Sequence, residues 1–338
     1  MLSLVHSKDS SKLCSEIPLL ETTDLTKTYS IGGGMFYEPL RLQAVSGVSI
    51  RVEKGRTLGI VGESGCGKST LSRMLAGLTP PTSGSILLDG RDVTGLPNAE
   101  RKRVLRDVQM VFQSPYSSLN PRMRVAETVR EPLDVHMRNL SKKERDERAL
   151  HILHRVGISR EMARRYPHQL SGGQQQRVGI ARALVSEVRL VICDEPVSAL
   201  DVSVQAQVIN LLRELQRSLG VAYIFVSHDL AVVANISDDI AVMYLGKVVE
   251  YGRAEDVLQR PRHPYTQALV DSANIPDPVL EKSRKPRILT GEIPRPTDPP
   301  SGCRFRTRCW MAQDRCAVEV PALVRRGNSP QAVACHFA

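Results

Sequence analysis

A glycine-rich loop near residue 65 has the residue types of a phosphate-binding site. Residues 62–69 read GESGCGKS and fit the pattern G-x-x-x-x-G-K-[ST]. Glycines let backbone N–H groups converge on phosphate oxygens, and the start of a following helix adds partial positive charge. Lys68 is then expected to contact the β and γ phosphates of a nucleoside triphosphate, and the Ser69 hydroxyl to bind Mg²⁺.

The predicted phosphate contacts span the loop and the first turn of the helix after it. They are Gly62, Ser64, Gly65, Cys66, Gly67, Lys68, Ser69 and Thr70. Cys66 occupies a free position of the pattern, so we assign its thiol no chemistry. An ordinary glycine-rich turn has a similar composition, but an apolar strand before the loop and a helical pattern after it are the context that the motif requires.

Two carboxylates end a second apolar strand further along the chain. Residues 190–195 read LVICDE, and ligands of open α/β sheets bind at the carboxyl ends of the strands. Asp194 is expected to hold Mg²⁺, directly or through water, and Glu195 to polarise an attacking water. A solvated strand end would explain the pair in isolation, but downstream of a phosphate loop the pair indicates hydrolysis of a triphosphate.

The elements around these residues alternate between strand and helix. Apolar runs predict strands at 42–45 with 48–52, at 58–61, at 190–193 and at 221–226. Apolar residues at helical spacing predict helices over 68–78 and 205–219. Residues 120–170 are rich in Arg, Lys and Glu, and Ser141 and Glu144 have the spacing of a helix capping box. We therefore predict an α/β fold with a helical subdomain inserted into it.

Composition restricts the location and the partners of the chain. The longest apolar runs, 221–226 and 240–245, are far shorter than the roughly 20 residues of a membrane-spanning helix. Residues 1–16 contain no apolar block of signal-peptide length, so we expect a loose cytoplasmic tail and no export. The formal net charge of +10 fits nucleic acid, an anionic membrane surface or a solvated basic exterior, and it does not decide among them.

The segment from Arg253 onwards is rich in proline, arginine and cysteine, which predicts a separate, loop-rich module. Cys303, Cys309, Cys316 and Cys335 lie within it at the spacing C-x5-C-x6-C-x18-C. Disulfides are disfavoured in the cytoplasm, whereas four thiolates suit a [4Fe-4S] cluster or zinc. The spacing lacks the C-x2-C pair of common zinc ribbons. Cluster, zinc and free thiols remain as alternatives, and a bound metal centre is expected to stabilise the module.

Further motifs make the pattern specific to one family. They are Gln113, LSGGQQQRV at 170–178, SALD at 198–201 and His228. Together with the loop and the carboxylates, their order resembles the ATP-binding cassette (ABC) ATPases over about residues 19–255. The resemblance implies a P-loop NTPase (RecA-like) nucleotide-binding domain with antiparallel β and helical subdomains, the latter at about 114–170. The chain then divides into a flexible tail (1–18), the ABC ATPase domain (19–255) and a Pro/Cys-rich C-terminal module (256–338).

The resemblance also implies a role for each motif. Family members hold two ATP molecules between two subunits. The signature motif of one subunit, residues 170–178 in this chain, contacts the ATP bound by the other. The residues implied in this contact are Ser171, Gly172, Gly173, Gln174 and Asp201. Gln113 is implied to sense Mg²⁺ and the attacking water, and His228 to contact the γ-phosphate. Tyr29 occupies the position of the ring that stacks on adenine, with Phe36 or Tyr37 as alternatives.

The C-terminal module resembles a narrower group. Residues 261–269 (PRHPYTQAL), 291–300 and 302–309 (GCRFRTRC) look like the C-terminal region of oligopeptide, dipeptide and nickel importer ATPases. The match is nearer to the second of the two paired ATPases, the F-type subunit. Members of this group are reported to bind an iron–sulfur cluster at the cysteine module.

The resemblance implies a subunit that binds and hydrolyses ATP to power import of di- or oligopeptides from the cytoplasmic face of the inner membrane. The implied partners are a paralogous or identical ATPase subunit, two membrane permeases and, indirectly, an extracytoplasmic solute-binding protein, with no nucleic acid. The alternative, a soluble DNA-associated ABC ATPase, usually carries a coiled-coil insertion or a second cassette. An iron–sulfur electron carrier would leave the ATP site unused. Nickel and glutathione remain as alternative cargoes.

Overall fold

A parallel sheet lies at the centre of the molecule, which we describe from a computed structural model. The structure describes residues 17–32, 40–114, 118–272, 289, 291–327 and 329–338, without the side chains at 98 and 102. The predictions for the N-terminal tail up to residue 16 and for Phe36 and Tyr37 therefore lie outside the described residues.

The described elements alternate as an α/β fold requires. The strands are β1 (Leu20–Ile31), β2 (Leu40–Val48), β3 (Arg51–Val52), β4 (Thr57–Val61), β5 (Ser83–Leu88), β6 (Arg91–Asp92), β7 (Val108–Val111), β8 (Leu190–Asp194), β9 (Ala222–Ser227), β10 (Asp239–Tyr244), β11 (Lys247–Arg253), β12 (Val324–Arg325) and β13 (Ala332–Val333). The helices are α1 (Lys68–Leu75), α2 (Asn98–Val104), α3 (Val125–His136), α4 (Lys142–Arg155), α5 (Gly172–Leu184), α6 (Val202–Leu219), α7 (Leu230–Ile236), α8 (Ala254–Gln259), α9 (Pro264–Ser272) and α10 (Asp314–Val318).

The central sheet has the order β12-β13-β11-β10-β4-β9-β8-β7. The strands from β10 to β7 are parallel to one another, and β11 and β13 extend the sheet antiparallel. All residues of β4, β8 and β9 are buried, as expected for parallel strands that are covered on both faces. Successive residues face two different hydrophobic cores: Val191 and Cys193 belong to one, and Leu190 and Ile192 to the other.

A second, antiparallel sheet covers one of these cores. Its strand order is β2-β1-β5-β6, and β3 also pairs with β1. The core between the two sheets contains Val45 of β2 together with Leu71 and Leu75 of α1. The helix that follows the phosphate loop is thereby fixed between the two sheets.

The helices between β7 and α5 correspond to the predicted helical subdomain. The Ser141 hydroxyl accepts a hydrogen bond from the Glu144 N–H at 3.2 Å, and the Glu144 carboxylate accepts one from the Ser141 N–H at 2.7 Å. The capping box predicted at these residues is therefore confirmed as the start of α4. α3 and α4 bury Val129, Leu133 and Leu153 against the larger core.

Some element boundaries differ from those predicted. β1 was not predicted because its threonines and charged residues mask the alternation of buried and exposed positions. The strand predicted at 48–52 is interrupted, since Ser49 and Ile50 separate β2 from β3. The helix predicted over 68–78 ends at Leu75 because Gly77 adopts a left-handed conformation, with φ of 69°.

The C-terminal segment is attached to the main body of the fold. β13 pairs with β11 through Glu250 and Val333, and Phe305 is buried in the larger hydrophobic core. Its proposed division from the ATPase domain after residue 255 stays a prediction. Among the described residues, every helix is too short or too polar to span a bilayer.

Candidate functional site

The phosphate loop connects the carboxyl end of β4 to the first turn of α1. A Cβ atom at Gly67 would lie 2.0 Å from the Ala44 carbonyl oxygen, and its φ is 105°. A Cβ at Gly62 would lie 2.2 Å from the Met243 carbonyl oxygen. Both invariant glycines of the pattern are therefore required by close approach of the backbone, in addition to any contact with phosphate.

The Lys68 side chain folds back over the loop. Its ammonium donates hydrogen bonds to the carbonyl oxygens of Gly62 at 2.6 Å and of Glu63 at 3.0 Å, and the residue is buried. The Cys66 sulfur lies 3.9 Å from the same ammonium, and burial raises the pKa of the Cys66 thiol. Cys66 packs into the core between the sheets, which agrees with assigning its thiol no chemistry.

A hydroxyl and a carboxylate meet at the expected magnesium position. The Ser69 hydroxyl donates a hydrogen bond to Asp194 Oδ1 at 3.1 Å. Burial raises the pKa of the Asp194 carboxyl, opposed by the hydrogen bond from Ser69. A hard cation bound here would offset that cost, and Mg²⁺ typically takes one or two protein oxygens and completes its shell with phosphate and water. The residues present therefore fit Mg²⁺ bound together with a nucleotide.

The carboxylate of Glu195 lies between two polar side chains. Gln113 Nε2 donates to Glu195 Oε2 at 2.8 Å, and His228 Nδ1 lies 3.5 Å from Glu195 Oε1. These residues follow β7, β8 and β9, whose carboxyl ends meet at one edge of the sheet. Glu195 has a φ of 49°, a left-handed conformation that is uncommon for a residue with a side chain and typical of functional sites. The Glu195 N–H holds this turn by donating to the Val226 carbonyl at 2.9 Å.

A cavity of about 350 Å³ lies in front of the phosphate loop. The predicted residues that line it are Tyr29, Ser64, Gly65, Gly67, Lys68, Ser69, Thr70, Gln113 and Glu195. Tyr29 is also contacted by Lys27, whose ammonium lies 5.1 Å from the ring centroid. The structure thus brings together residues predicted to contact the phosphates, Mg²⁺, the attacking water and the adenine ring.

Several residues of the cavity wall were not predicted from the sequence. They are Leu42, Gln43, Ala44, Leu245, Gly246 and Pro296. They carry no recognisable motif and come from three distant parts of the chain. The strand pattern around residue 42 was the one available signal that this part of the wall lies near the loop.

The signature residues lie elsewhere on the chain. Ser171 caps α5, since its hydroxyl accepts from the Gln174 N–H at 3.3 Å and Gln174 Oε1 accepts from the Ser171 N–H at 3.0 Å. Asp201 caps α6 by accepting from the Val204 N–H at 2.9 Å. Of the described residues that line the cavity, none belongs to 171–174. Ser171, Gly172 and Asp201 are exposed, so they are accessible to another molecule.

The glycines of the signature differ in the space around them. A Cβ at Gly173 would lie 2.5 Å from Val204 Cγ1, whereas a Cβ at Gly172 would make an ordinary contact of 3.6 Å with Leu200. Close packing of α5 against α6 therefore explains the glycine at 173. Packing within this chain leaves the glycine at 172 unexplained.

The four C-terminal cysteines are thiols without disulfide bonds. Burial and, to a smaller extent, the charges of the other three cysteines raise the pKa of Cys309 to about 11, opposed by a hydrogen bond from the Met311 N–H. Within the described ranges, no three His, Cys, Asp or Glu side chains are grouped so that they could hold a metal ion. The residues present therefore do not support the predicted iron–sulfur cluster or its zinc alternative.

The fold and the site together define a P-loop ATPase, and comparison with known proteins places it in a family. The family model described as ABC transporter matches residues 45–198, and the model described as the C-terminal region of oligopeptide/dipeptide transporters matches residues 249–316. The chain belongs to the ABC transporter ATPases that carry this oligopeptide/dipeptide C-terminal region.

Individual relatives cover almost the whole chain. The oligopeptide transport ATP-binding protein OppF of Salmonella typhimurium is 50% identical over 94% of this chain and 95% of its own length. The di/tripeptide transport ATP-binding protein DppF of Pseudomonas aeruginosa is 46% identical over 95% of this chain and 98% of its own. A solved dimeric, post-hydrolysis structure of the cassette MJ0796 with ADP and Pi is 32% identical, with a TM-score of 0.63 over 70% of this chain and 98% of that one.

Proposed function

We propose that this chain is the ATP-hydrolysing subunit of an ABC importer of di- and oligopeptides, bound to the cytoplasmic face of the inner membrane. The observation that carries the proposal is the position of Glu195 between Gln113 and His228, at the edge of a cavity that the phosphate loop lines. The peptide cargo is inferred from the oligopeptide and di/tripeptide transport proteins that resemble this chain.

ATP binds with its phosphates against the loop, and its base lies against Tyr29. Lys68 exchanges its carbonyl partners for the β and γ phosphates, and Ser69 and Asp194 hold Mg²⁺. When bound, Mg²⁺ supplies positive charge that neutralises the phosphates. Glu195 accepts a proton from water as the water oxygen bonds to the γ-phosphorus and the bond from that phosphorus to the β–γ bridging oxygen breaks.

A second ATPase subunit completes the site. The signature of this chain lies outside its own cavity and is exposed, so it is available to contact ATP held by the partner. Ser171 and the N–H groups at the start of α5 form an anion site there. We infer a nucleotide-sandwich dimer, with a paralogous partner in a heterodimer.

We expect Ser171→Asp to abolish ATP-dependent association with the partner while the isolated chain still binds ATP. Aspartate caps a helix as well as serine does, so α5 remains intact, but a carboxylate there repels the partner's triphosphate. Ser171→Asn is the matched control because it is an equally good cap without charge. Affinity between purified subunits with and without ATP is the measurement, and equal association of the Asp and Asn variants would contradict a role in trans.

The permease contact is inferred from a groove beside Gln113. A cavity of about 400 Å³ has among its lining residues Leu78, which follows α1, Leu105 and Phe112, which flank β7, and His136 at the end of α3. The Leu78 side chain is 59% exposed, so it is available to a partner that fills the groove. A permease helix in this groove would press on Phe112 and thereby on Gln113.

Leu78→Glu is expected to prevent co-purification with the permeases and to leave ATP binding by the isolated chain unchanged. A carboxylate would have to be buried unpaired in the assembled groove. Val318→Glu is the control, since Val318 is 81% exposed and lies in α10 rather than in the groove. Retention of the permeases by the Leu78→Glu variant would place their contact elsewhere.

The whole proposal is tested by reconstitution. The chain, its partner ATPase and the two permeases are placed in proteoliposomes with the solute-binding protein outside, and ATP hydrolysis is measured with di- and oligopeptides, with a nickel complex and with glutathione. Stimulation by peptides is expected. Stimulation by DNA in the absence of permeases would favour the DNA-associated alternative instead.

A further inference from the structure

An arginine of the C-terminal segment contacts the phosphate loop directly. The Arg308 guanidinium donates two parallel hydrogen bonds to Glu63, from Nη1 to Oε2 at 2.8 Å and from Nη2 to Oε1 at 3.1 Å. Glu63 is the second residue of the loop pattern, at a position where the pattern accepts any residue. The paired geometry fixes the orientation of the carboxylate as well as its position. The Arg308 side chain is 6% exposed and that of Glu63 is 23% exposed, so water screens the pair weakly.

The backbone of Glu63 connects this pair to Lys68. The Glu63 N–H donates to the Tyr265 hydroxyl at 2.8 Å, and the Glu63 carbonyl accepts from the Lys68 ammonium at 3.0 Å. Arg308 and Tyr265 thus fix the side chain and the N–H of one loop residue whose carbonyl binds the lysine. A continuous set of contacts runs from the C-terminal segment to the ammonium that is expected to bind phosphate.

Buried aromatic rings fix Arg308 in turn. The guanidinium lies 5.9 Å from the centroid of the Tyr244 ring. Tyr244 packs against Tyr265 and Phe305 with centroid distances of 4.8 Å and 5.2 Å, and all three rings are fully buried. The aromatic packing leaves Arg308 little freedom to move away from Glu63.

A second arginine of the same segment contacts residues that line the cavity. Arg304 donates to the Leu245 carbonyl, to Gln43 Oε1 at 2.7 Å and to the Ser46 hydroxyl at 3.1 Å. Gln43 and Leu245 both line the nucleotide cavity, and so does Pro296 of the C-terminal segment. The segment therefore contacts the wall of the cavity as well as the phosphate loop.

We propose that Arg308 is a positioning residue of the ATP site, through which the C-terminal segment sets the affinity of this half-site for ATP. Arg308 acts through Glu63: it holds the loop in place for Lys68 and neutralises a carboxylate that would otherwise repel the triphosphate. The inference rests on the proposed ATP-binding role of the loop.

The test is a double-mutant cycle in the full-length chain, assembled with its partner ATPase and permeases. Arg308→Gln leaves the Glu63 charge unpaired and is expected to raise the KM for ATP about tenfold with a smaller change in kcat. Glu63→Gln removes the charge itself and is expected to raise KM only about threefold. The double variant should resemble Glu63→Gln, so removal of the carboxylate should rescue most of the loss caused by Arg308→Gln. The ATP affinity of each isolated chain should follow the same order.

Matched controls distinguish an effect of Arg308 on the phosphate loop from a general loss of folding stability. Arg306→Gln removes an arginine of the same segment whose guanidinium bonds to Ser301, and its KM should equal that of the unmodified chain. Thermal unfolding of each variant reports whether the segment remains folded. If Arg308→Gln does not fold, the isosteric Glu63→Gln variant decides, because unchanged KM and ATP affinity in that variant would overturn the proposal.

Two other results would also overturn it. One is an unchanged KM in folded Arg308→Gln, and the other is a double variant whose loss is the product of the two single losses, since independent effects mean that the pair does not act as a unit. A failure of the proposed function looks different, because the unmodified chain itself would then neither bind nor hydrolyse ATP.

Discussion

Glu195→Gln is expected to bind ATP normally and to lose about 10²–10⁴-fold in turnover, the usual contribution of a general base. The amide has the shape of the carboxylate and can still meet Gln113 and His228, which contact Glu195 in the structure. It cannot take the proton of the attacking water. The closed, ATP-bound dimer should therefore accumulate.

The measurement needs a complex in which the other ATPase subunit is already inactive. With the corresponding glutamate of the partner also replaced, phosphate release reports the site of this chain alone. Glu214→Gln is the control, since Glu214 is exposed on α6. Turnover within about threefold of the unmodified complex would exclude Glu195 as the base, because removing a general base costs much more.

Lys68→Met is expected to weaken ATP binding by about 10²-fold, as for the loss of two charge-assisted hydrogen bonds. Methionine keeps the apolar part of the buried side chain but not the ammonium. The carbonyls of Gly62 and Glu63 lose their donor in the same step, so the loop should also become less ordered before ATP arrives.

Equilibrium binding of a fluorescent ATP analogue to the isolated chain measures this effect. Lys54→Met is the control because Lys54 lies on the surface, where its ammonium pairs with Asp89 and its side chain is 59% exposed. An affinity of Lys68→Met equal to that of the control would mean that the phosphates do not bind where the loop pattern predicts.

The sequence predicts the buried parallel strands of this fold better than the strands of the antiparallel sheet. The buried strands β8 and β9 are continuous apolar runs that end in polar residues, and such runs are readable without a structure. β1 was missed because a strand with a polar, partly exposed face has no continuous apolar run. The interruption between β2 and β3 depends on pairing with β1, which is a tertiary contact.

In the candidate site too, residues in local motifs were predicted and contacts between distant residues were not. Asp194 and Ser69 were expected to act on one cation because each stands in a motif of its own, and the structure brings them to 3.1 Å. The bond between Glu63 and Arg308 joins residues 245 positions apart. Glu63 stands at a free position of the loop pattern, so nothing in the sequence pairs it with an arginine of the C-terminal segment. The cysteine spacing led to a cluster prediction that the described side chains do not support. The four cysteines lie near enough to affect one another's charge, but no three ligand side chains among the described residues are grouped so that they could hold a metal ion.

The strand before the phosphate loop, β4, can pair with its neighbours only late in the synthesis of the chain. β4 pairs with β9 and β10, whose first residues, Ala222 and Asp239, are synthesised long after Val61 has left the ribosome. Until then both edges of β4 are unpaired and four of its five residues (TLGIV) are Leu, Gly, Ile and Val, a combination that favours aggregation of an incomplete chain. Its partners are also distant in sequence, which slows their pairing. The phosphate loop, which follows β4, therefore reaches its final position only after β9 and β10 have been synthesised.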